Sequence, residues 1–220
     1  YNVCGTEDPY PFYNLQRIEK GERIGNFYMW KFAGVDKNGE WLIYDRDGDI
    51  IKAAQASDDD RQVVGNGLPK FTGSMTHNFR YKNVDLSLFF RGAFGYDIFN
   101  IHDFYYGTRN FTGNRLKKAY DRNFVVSSTA NPVVCDYFLE KGDYLKLDMV
   151  TLGYTLNLKD CAYLDRVRVY GTVKNVLTLT KFSGVDPSTY QVNGLTPSAQ
   201  GSRTYFPSTR QFIIGLQLDF

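Results

Sequence analysis

Long period-two alternation constrains this chain more than any other feature: five segments of about 11 to 15 residues place apolar and polar side chains in turn. Strands of soluble proteins usually run about five or six residues, so this length points to strands that cross a bilayer. From Phe71 to Tyr81, Phe71, Met75, Phe79 and Tyr81 share one face, interrupted by His77, and oppose Thr72, Ser74, Thr76, Asn78 and Arg80. Past a tight polar connection, Lys82-Asn83, the residues Val84, Leu86, Leu88, Phe90 and Phe94 oppose Asp85, Ser87, Arg91 and Ala93, which predicts a hairpin. Tyr144 to Leu158 changes phase between Leu145, Leu147, Met149 and Leu152, Tyr154, Leu156, and a bulge near Val150 reconciles the two. Arg166 to Leu179 sets Val167, Val169, Val173 and Leu177 against Arg166, Arg168, Thr172 and Lys174. Last, Phe212, Ile214, Leu216, Leu218 and Phe220 alternate with Gln211, Gly215, Gln217 and Asp219, with Ile213 the exception.

The connections between these segments take turns in length: about two or three residues, about 45, about seven and about 30. Outer-membrane barrels need this arrangement, with tight turns on the periplasmic side and long loops outside. Counting back from Phe220 puts Tyr81 to Val84 and Asn157 to Asp165 on the periplasmic side. Five strands are too few to close, since about eight is the smallest workable barrel, and an open edge in lipid leaves backbone donors unpaired at several kcal/mol each. The expectation is an all-β chain: the C-terminal strands of a large antiparallel transmembrane β-barrel. Residues 1–69 are expected as an extracellular loop region, and 70–220 as the strands with loops at about 97–141 and 180–207.

Composition excludes several alternatives. A formal net charge of +2 gives no field to attract nucleic acid. No apolar run is long enough for a helical span, whereas 16% aromatic residues suits a barrel with aromatic girdles. Tyr1 is not preceded by Met or a leader, which fits part of a longer chain. Cys4, Cys135 and Cys161 lack metal-ligand or disulfide spacing and read as ordinary packing residues. With only His77 and His102, no nucleophile and base set can be assembled, so an enzyme is not expected.

Several stretches resemble SusC-type TonB-dependent transporters of the Gram-negative outer membrane. These are Gly21-Glu22-Arg23-Ile24-Gly25-Asn26-Phe27-Tyr28, Leu68-Pro69-Lys70-Phe71, Gly142-Asp143-Tyr144-Leu145-Lys146-Leu147, Leu152-Gly153-Tyr154-Thr155-Leu156, Val167-Arg168-Val169-Tyr170 and Asn175 to Thr180 continuing into Gly184-Val185-Asp186-Pro187. Their order and spacing carry the resemblance, although Ser188 stands where the family commonly has an acid. The resemblance implies a barrel of about 22 strands around a plug, importing a bulky nutrient, oligosaccharide or oligopeptide, with energy passed through TonB and a SusD-like surface lipoprotein as lid. The plug, the TonB box and about 17 strands would precede Tyr1, and outer-membrane lipid would surround the whole. Phe220 resembles the terminal aromatic by which such barrels are recognised for membrane assembly, although a girdle aromatic would look the same.

Asp45, Asp47 and Asp49 are spaced like oxygen ligands of a calcium loop, but Ile50 stands where an EF-hand needs glycine and no Glu closes the pattern, so a solvated acidic turn is preferred and no cofactor is expected. The loop aromatics Phe104, Tyr105, Tyr106, Tyr190 and Tyr205 are candidates to contact cargo or lid, since their rings stack on sugar or apolar faces while polar tips stay wet. Equally, they could pack together to order long loops. The rival to a transporter is a free-standing extracellular β-sandwich that binds carbohydrate and buries its apolar faces between two sheets.

Overall fold

The computed structural model of the chain describes residues 2–3, 15–121, 126–158, 163–190, 194–199 and 208–220. Cys4, Cys161, Tyr205 and Phe206 lie outside them. In chain order the strands are β1 (Asn2–Val3), β2 (Gln16–Arg17), β3 (Asn26–Met29), β4 (Lys31–Val35), β5 (Trp41–Tyr44), β6 (Ile50–Lys52), β7 (Gln62–Asn66), β8 (Phe71–Tyr81) and β9 (Val84–Phe94). They continue with β10 (Asp97–Phe99), the helices α1 (Ile101–Tyr106) and α2 (Lys118–Asp121), and then β11 (Leu139–Lys141), β12 (Tyr144–Asn157), β13 (Arg166–Thr180) and β14 (Gln211–Asp219). Two compact units result: residues 1–70, 95–142 and 182–206 form one, and residues 71–94, 143–181 and 207–220 the other.

The second unit is a five-stranded antiparallel sheet in the order β14-β13-β12-β9-β8. Its members are the five segments expected from alternation, with β14 shorter at nine residues. β8 and β9 form the expected hairpin, closed at Tyr81↔Val84 by Lys82-Asn83, where Lys82 takes a positive φ of 51°. The bulge in β12 falls between Leu147 and Met149, two residues ahead of the expected position. Asp148 is therefore the extra residue, and Met149, opposite Phe89, joins the polar face instead of the apolar one. A matching shift occurs in β13, between Lys174 and Leu177, where Asn175 has a φ of 54°.

Cross-strand register shows how the two faces differ. The row Ile214, Gly171, Leu152, Leu86, Phe79 runs across all five strands on one side, and the row Ile213, Thr172, Thr151, Ser87, Asn78 on the other. On the apolar side Phe71 and Phe94 stand at one end of the sheet and Phe79, Tyr81, Tyr154 and Phe220 toward the other, while Phe212 heads the shorter β14 in the row of Val173, Val150 and Leu88 and Phe90 faces Met75 in between. These side chains are exposed, Ile214 at 86% and Phe212 at 75%. Such a face is costly in water, at about 25 cal/mol per Å² of apolar surface, and matches the girdled band of a membrane barrel. β8 begins, β9 ends, β12 begins and β13 ends at the same end of the sheet, so the long connections leave from there, while Lys82-Asn83 and residues 158–165 connect strands at the opposite end.

The first unit builds its core from pieces far apart in sequence. Leu15, Phe27, Met29, Trp41, Phe99, Ile101, Phe104, Phe138 and Ala199 are buried together. Three small sheets, β1-β2-β3-β7, β4-β5-β6 and β10-β11, surround this cluster. The segment 1–69 and the two long loops thus share one core. Helix α1 was not signalled by helical periodicity. It forms because Asn100 caps it, accepting the Asp103 N–H at 3.1 Å, and because Ile101, Phe104 and Tyr105 bury their side chains.

Candidate functional site

Two surfaces can carry function, the polar face of the sheet and the loop unit. On the sheet, Asp85 of β9 and Arg168 of β13 form a two-pronged ion pair, with Nε to Oδ1 at 2.9 Å and Nη2 to Oδ2 at 2.5 Å, although β12 lies between their strands. Gly153 makes the crossing possible. A Cβ there would lie 2.5 Å from Asp85 Oδ1 and 2.6 Å from Arg168 Nη2. The ring of Tyr170 stacks against the Arg168 guanidinium and covers Gly215 of β14. Near the other end, the bulge residue Asp148 accepts from Arg91 Nε at 2.7 Å and lies 3.9 Å from Lys146 Nζ. Hydroxyls of Thr151 and Thr172 meet at 2.9 Å. One face of the sheet is thus charged and hydrogen-bonded, and the other is apolar. Gly153→Ala should open the Asp85–Arg168 pair and lower the stability of the sheet by about 1 kcal/mol, the upper range for a partly exposed ion pair. The drop in urea midpoint of the full-length protein measures it, and an unchanged midpoint would contradict the crossing.

In the loop unit, Phe104 is 2% exposed and Tyr105 8%, and both belong to the core. Phe104 packs on Phe138 with ring centres 5.0 Å apart and on Tyr105 at 5.4 Å. Tyr190 is buried edge-on against Phe182 at 5.6 Å. Tyr106 is half-buried and meets Phe111 at 5.0 Å, and Tyr205 lies outside the described residues. The structure thus brings Phe104, Tyr105 and Tyr106 together and places Tyr190 in a separate pair. Phe220, at 84% exposure, follows β14 in the apolar phase.

Sequence reasoning missed a polar hub in this unit. The Ser183 hydroxyl donates to Glu140 Oε1 at 2.7 Å and accepts from Asn100 Nδ2 at 3.1 Å and Lys118 Nζ at 3.2 Å, and the Ser183 N–H donates to Glu140 Oε2 at 2.7 Å. Lys118 also pairs with Asp103 at 2.8 Å. The hub ties the segment after β13 to α1, α2 and β11. Only the run Thr180-Lys181-Phe182-Ser183-Gly184, part of the stretch that carries the resemblance, hinted at it.

The calcium-like spacing is a turn. Asp45 Oδ1 accepts the N–H groups of Asp47 at 3.0 Å and Asp49 at 2.8 Å, and Gly48 takes a φ of 91°. Nine residues earlier, Asp36 Oδ1 accepts the N–H groups of Asn38 at 2.8 Å and Glu40 at 2.9 Å, with Gly39 at 84°. The two hairpin turns are built alike, which the repeated Asp-x-Asn/Asp-Gly pattern could have signalled. No group of three or more His, Cys, Asp or Glu that could hold a metal occurs among the described residues.

Electrostatic shifts in this unit are structural in origin. The N–H of Glu40, followed by the N–H of Asn38 and the charge of Lys52, holds the Asp36 carboxyl below the usual aspartate range, with desolvation opposing. The Ser57 N–H and hydroxyl do the same for Asp60. Burial pushes Asp136 up, against the Phe32 N–H that it accepts at 2.7 Å, and pushes the buried Cys135 thiol to about 12. A thiol that reluctant to ionise is a packing residue. Because the folded pKa of Asp36 and Asp60 is depressed, their turns are fully held above the ordinary aspartate pKa of about 3.9 and loosen as pH falls through the lower folded value. Asp136 has the opposite sign: its contribution is full below the unfolded pKa and is lost as pH rises through the folded one. The protection factors of the Asn38, Glu40 and Ser57 amides, each corrected for the intrinsic pH dependence of exchange, should therefore fall on acidification below that range, and protection that instead falls as pH rises would contradict the assignment.

No family profile matches the chain. Among curated proteins, TonB-dependent receptor P3 of Formosa agariphila is 28% identical over 97% of this chain and 24% of its own length. TonB-dependent receptor SusC of Bacteroides thetaiotaomicron is 27% identical over 95% of this chain and 19% of its own. Among solved structures, the RagAB peptide importer in the closed-closed state matches with a TM-score of 0.71 and 25% identity over 89% of this chain and 23% of that one. The chain resembles SusC-type TonB-dependent receptors over nearly its whole length. It spans less than a quarter of the length of the curated relatives it matches. The relatives are receptors and importers rather than enzymes, in line with a non-enzymatic role, and the structural match agrees with the all-β architecture.

Proposed function

We propose that this chain is the C-terminal part of a SusC-type barrel that imports a bulky nutrient across the Gram-negative outer membrane. The observation that carries the reading is the five-stranded sheet with one apolar face, one charged face, and edge strands β8 and β14 that each have a single neighbour among the described residues. In lipid, those edges require further strands, and the remaining strands and plug of the same protein supply them. The polar wall with Asp85, Arg168, Arg91 and Asp148 then lines the lumen, and outer-membrane lipid meets the apolar side. TonB acts through the part preceding Tyr1, and a SusD-like lipoprotein closes over the loops. RagAB, described as a peptide importer with closed-closed and open-open states, supports a lidded mechanism; the cargo class is oligopeptide or oligosaccharide. Of the candidate aromatics Phe104, Tyr105, Tyr106 and Tyr190, Tyr106 is the half-buried one, at the margin of the core, and so the one that can offer part of its ring to cargo or lid.

The rival β-sandwich is disfavoured by the exposed apolar face, which a sandwich would cover. Affinity purification of the full-length protein from outer membranes tests the proposal. A heat-modifiable barrel is expected to co-purify with a surface lipoprotein, and cells lacking TonB should lose uptake of the oligomeric nutrient that wild type imports. A water-soluble, monomeric product, or uptake that persists without TonB, would overturn it.

A further inference from the structure

The apolar face is not uniformly convex. Gly73 of β8 and Gly92 of β9 stand opposite one another in register, so one row lacks side chains on two adjacent strands. The row above holds Phe71 and Phe94, whose rings stack with centres 6.3 Å apart, and the row below holds Met75 opposite Phe90. Leu145, opposite Gly92 on β12, closes the row at one end, and Gly73 of β8, an edge strand among the described residues, ends it at the other. The result is a groove of about 220 Å³ whose walls are almost wholly apolar. A cavity of roughly 150 Å³ lined by apolar side chains already takes a benzene, so this groove has room for a longer piece of hydrocarbon.

We infer that the Gly73–Gly92 groove is a seat for one acyl chain of a membrane lipid, held in place longer than the lipid around it. The inference rests on the reading of this face as hydrocarbon-facing, and that reading also chooses the occupant. On such a face water is absent, and an unfilled groove forfeits dispersion contacts along all its walls. A flexible, unbranched tail can fill it, whereas a headgroup would find no polar partner among Phe71, Met75, Phe90, Phe94 and Leu145. The groove lies at the end of the sheet from which the long connections depart, which places it in the leaflet on the loop side. Glycine is required at one of the two positions for backbone reasons, since a Cβ on Gly92 would lie 2.8 Å from the Tyr144 carbonyl oxygen. At Gly73 a Cβ would meet only the edge of the Phe71 ring, at 3.2 and 3.3 Å. Gly73 can therefore be enlarged, and its side chain would occupy the groove.

The full-length transporter in bilayer nanodiscs containing a phospholipid with a diazirine in its acyl chain provides the test, with labelled residues mapped by mass spectrometry. Labelling at Met75 and Phe90 is expected several-fold above that at Leu152 and Leu216 on the same face. It should fall partly in Gly73→Ala and to the level of Leu152 and Leu216 in Gly73→Leu. Even labelling over the face, or labelling at Met75 and Phe90 that Gly73→Leu leaves unchanged, would overturn the groove and leave the membrane reading standing. Protection of Met75 and Phe90 alone, with crosslinks between two copies of the protein, would assign the groove to a second copy and also overturn it. No labelling at Leu152 or Leu216 would remove the membrane reading itself.

Discussion

Leu216→Arg is expected to deplete assembled barrel from the outer membrane by about 30- to 1,000-fold, whereas Gln217→Arg leaves it nearly unchanged. The two residues are neighbours on β14, yet register sends them to opposite faces: Leu216 pairs with Val169 in the apolar row and Gln217 with Arg168 in the charged one. A cation facing hydrocarbon costs up to about 2–4 kcal/mol, and each 1.4 kcal/mol is a factor of about ten. On the polar side an added guanidinium stays hydrated, with Arg168 already paired to Asp85 and the Asp219 carboxylate within reach of position 217. The heat-modifiable fraction in isolated outer membranes is the readout. Equal losses in the two variants would mean that the facing drawn from the register is incorrect.

Phe138→Ala should unfold the loop unit locally while the strands persist. Phe138 is fully buried and touches Phe104 and Tyr137 at ring-centre distances of 5.0 Å and Trp41 at 5.6 Å, so truncation leaves a cavity in the aromatic centre of that unit. Large-to-small changes of this kind cost about 3–5 kcal/mol, comparable with the stability of a small unit. Rapid proteolysis or amide exchange within residues 15–66 and 97–141 is expected, together with normal protection of β12 and β13. Tyr106→Ala, at a half-buried site, should have a much smaller effect on both. Loss of protection in the strands as well would show that the two units do not unfold separately.

Alternation carried the strands. The ends of β8, β12 and β13 fall at or within a residue of the boundaries read from side-chain period, because a slip of one residue would turn every Phe and Leu of the segment to the wrong face. The bulge was visible only as a change of phase, and its place at Asp148 instead of near Val150 depends on pairing with Phe89 and Phe90, which no single strand reveals. Asp45, Asp47 and Asp49 look alike as ligands in a line of sequence. In the folded hairpin, Asp45 is occupied by two backbone N–H groups.

What the sequence determined by itself is local and periodic: which segments are strands, which faces are apolar, and which connections are short, since alternating side chains and turn residues act within a few positions. What the tertiary structure decided is everything assembled over distance. Phe104, Tyr105 and Tyr190 carry no mark in sequence that separates a contact ring from a core ring. The fold buries all three: residues 15–64 pack with both long loops around Phe104, Tyr105 and Phe138, Tyr190 packs on Phe182, and Ser183 joins Glu140 and Asn100. The Asp85–Arg168 pair likewise exists only because register sets Gly153 between its partners. Contacts of that range depend on which strands pair, a choice made by the whole chain and not by any segment of it.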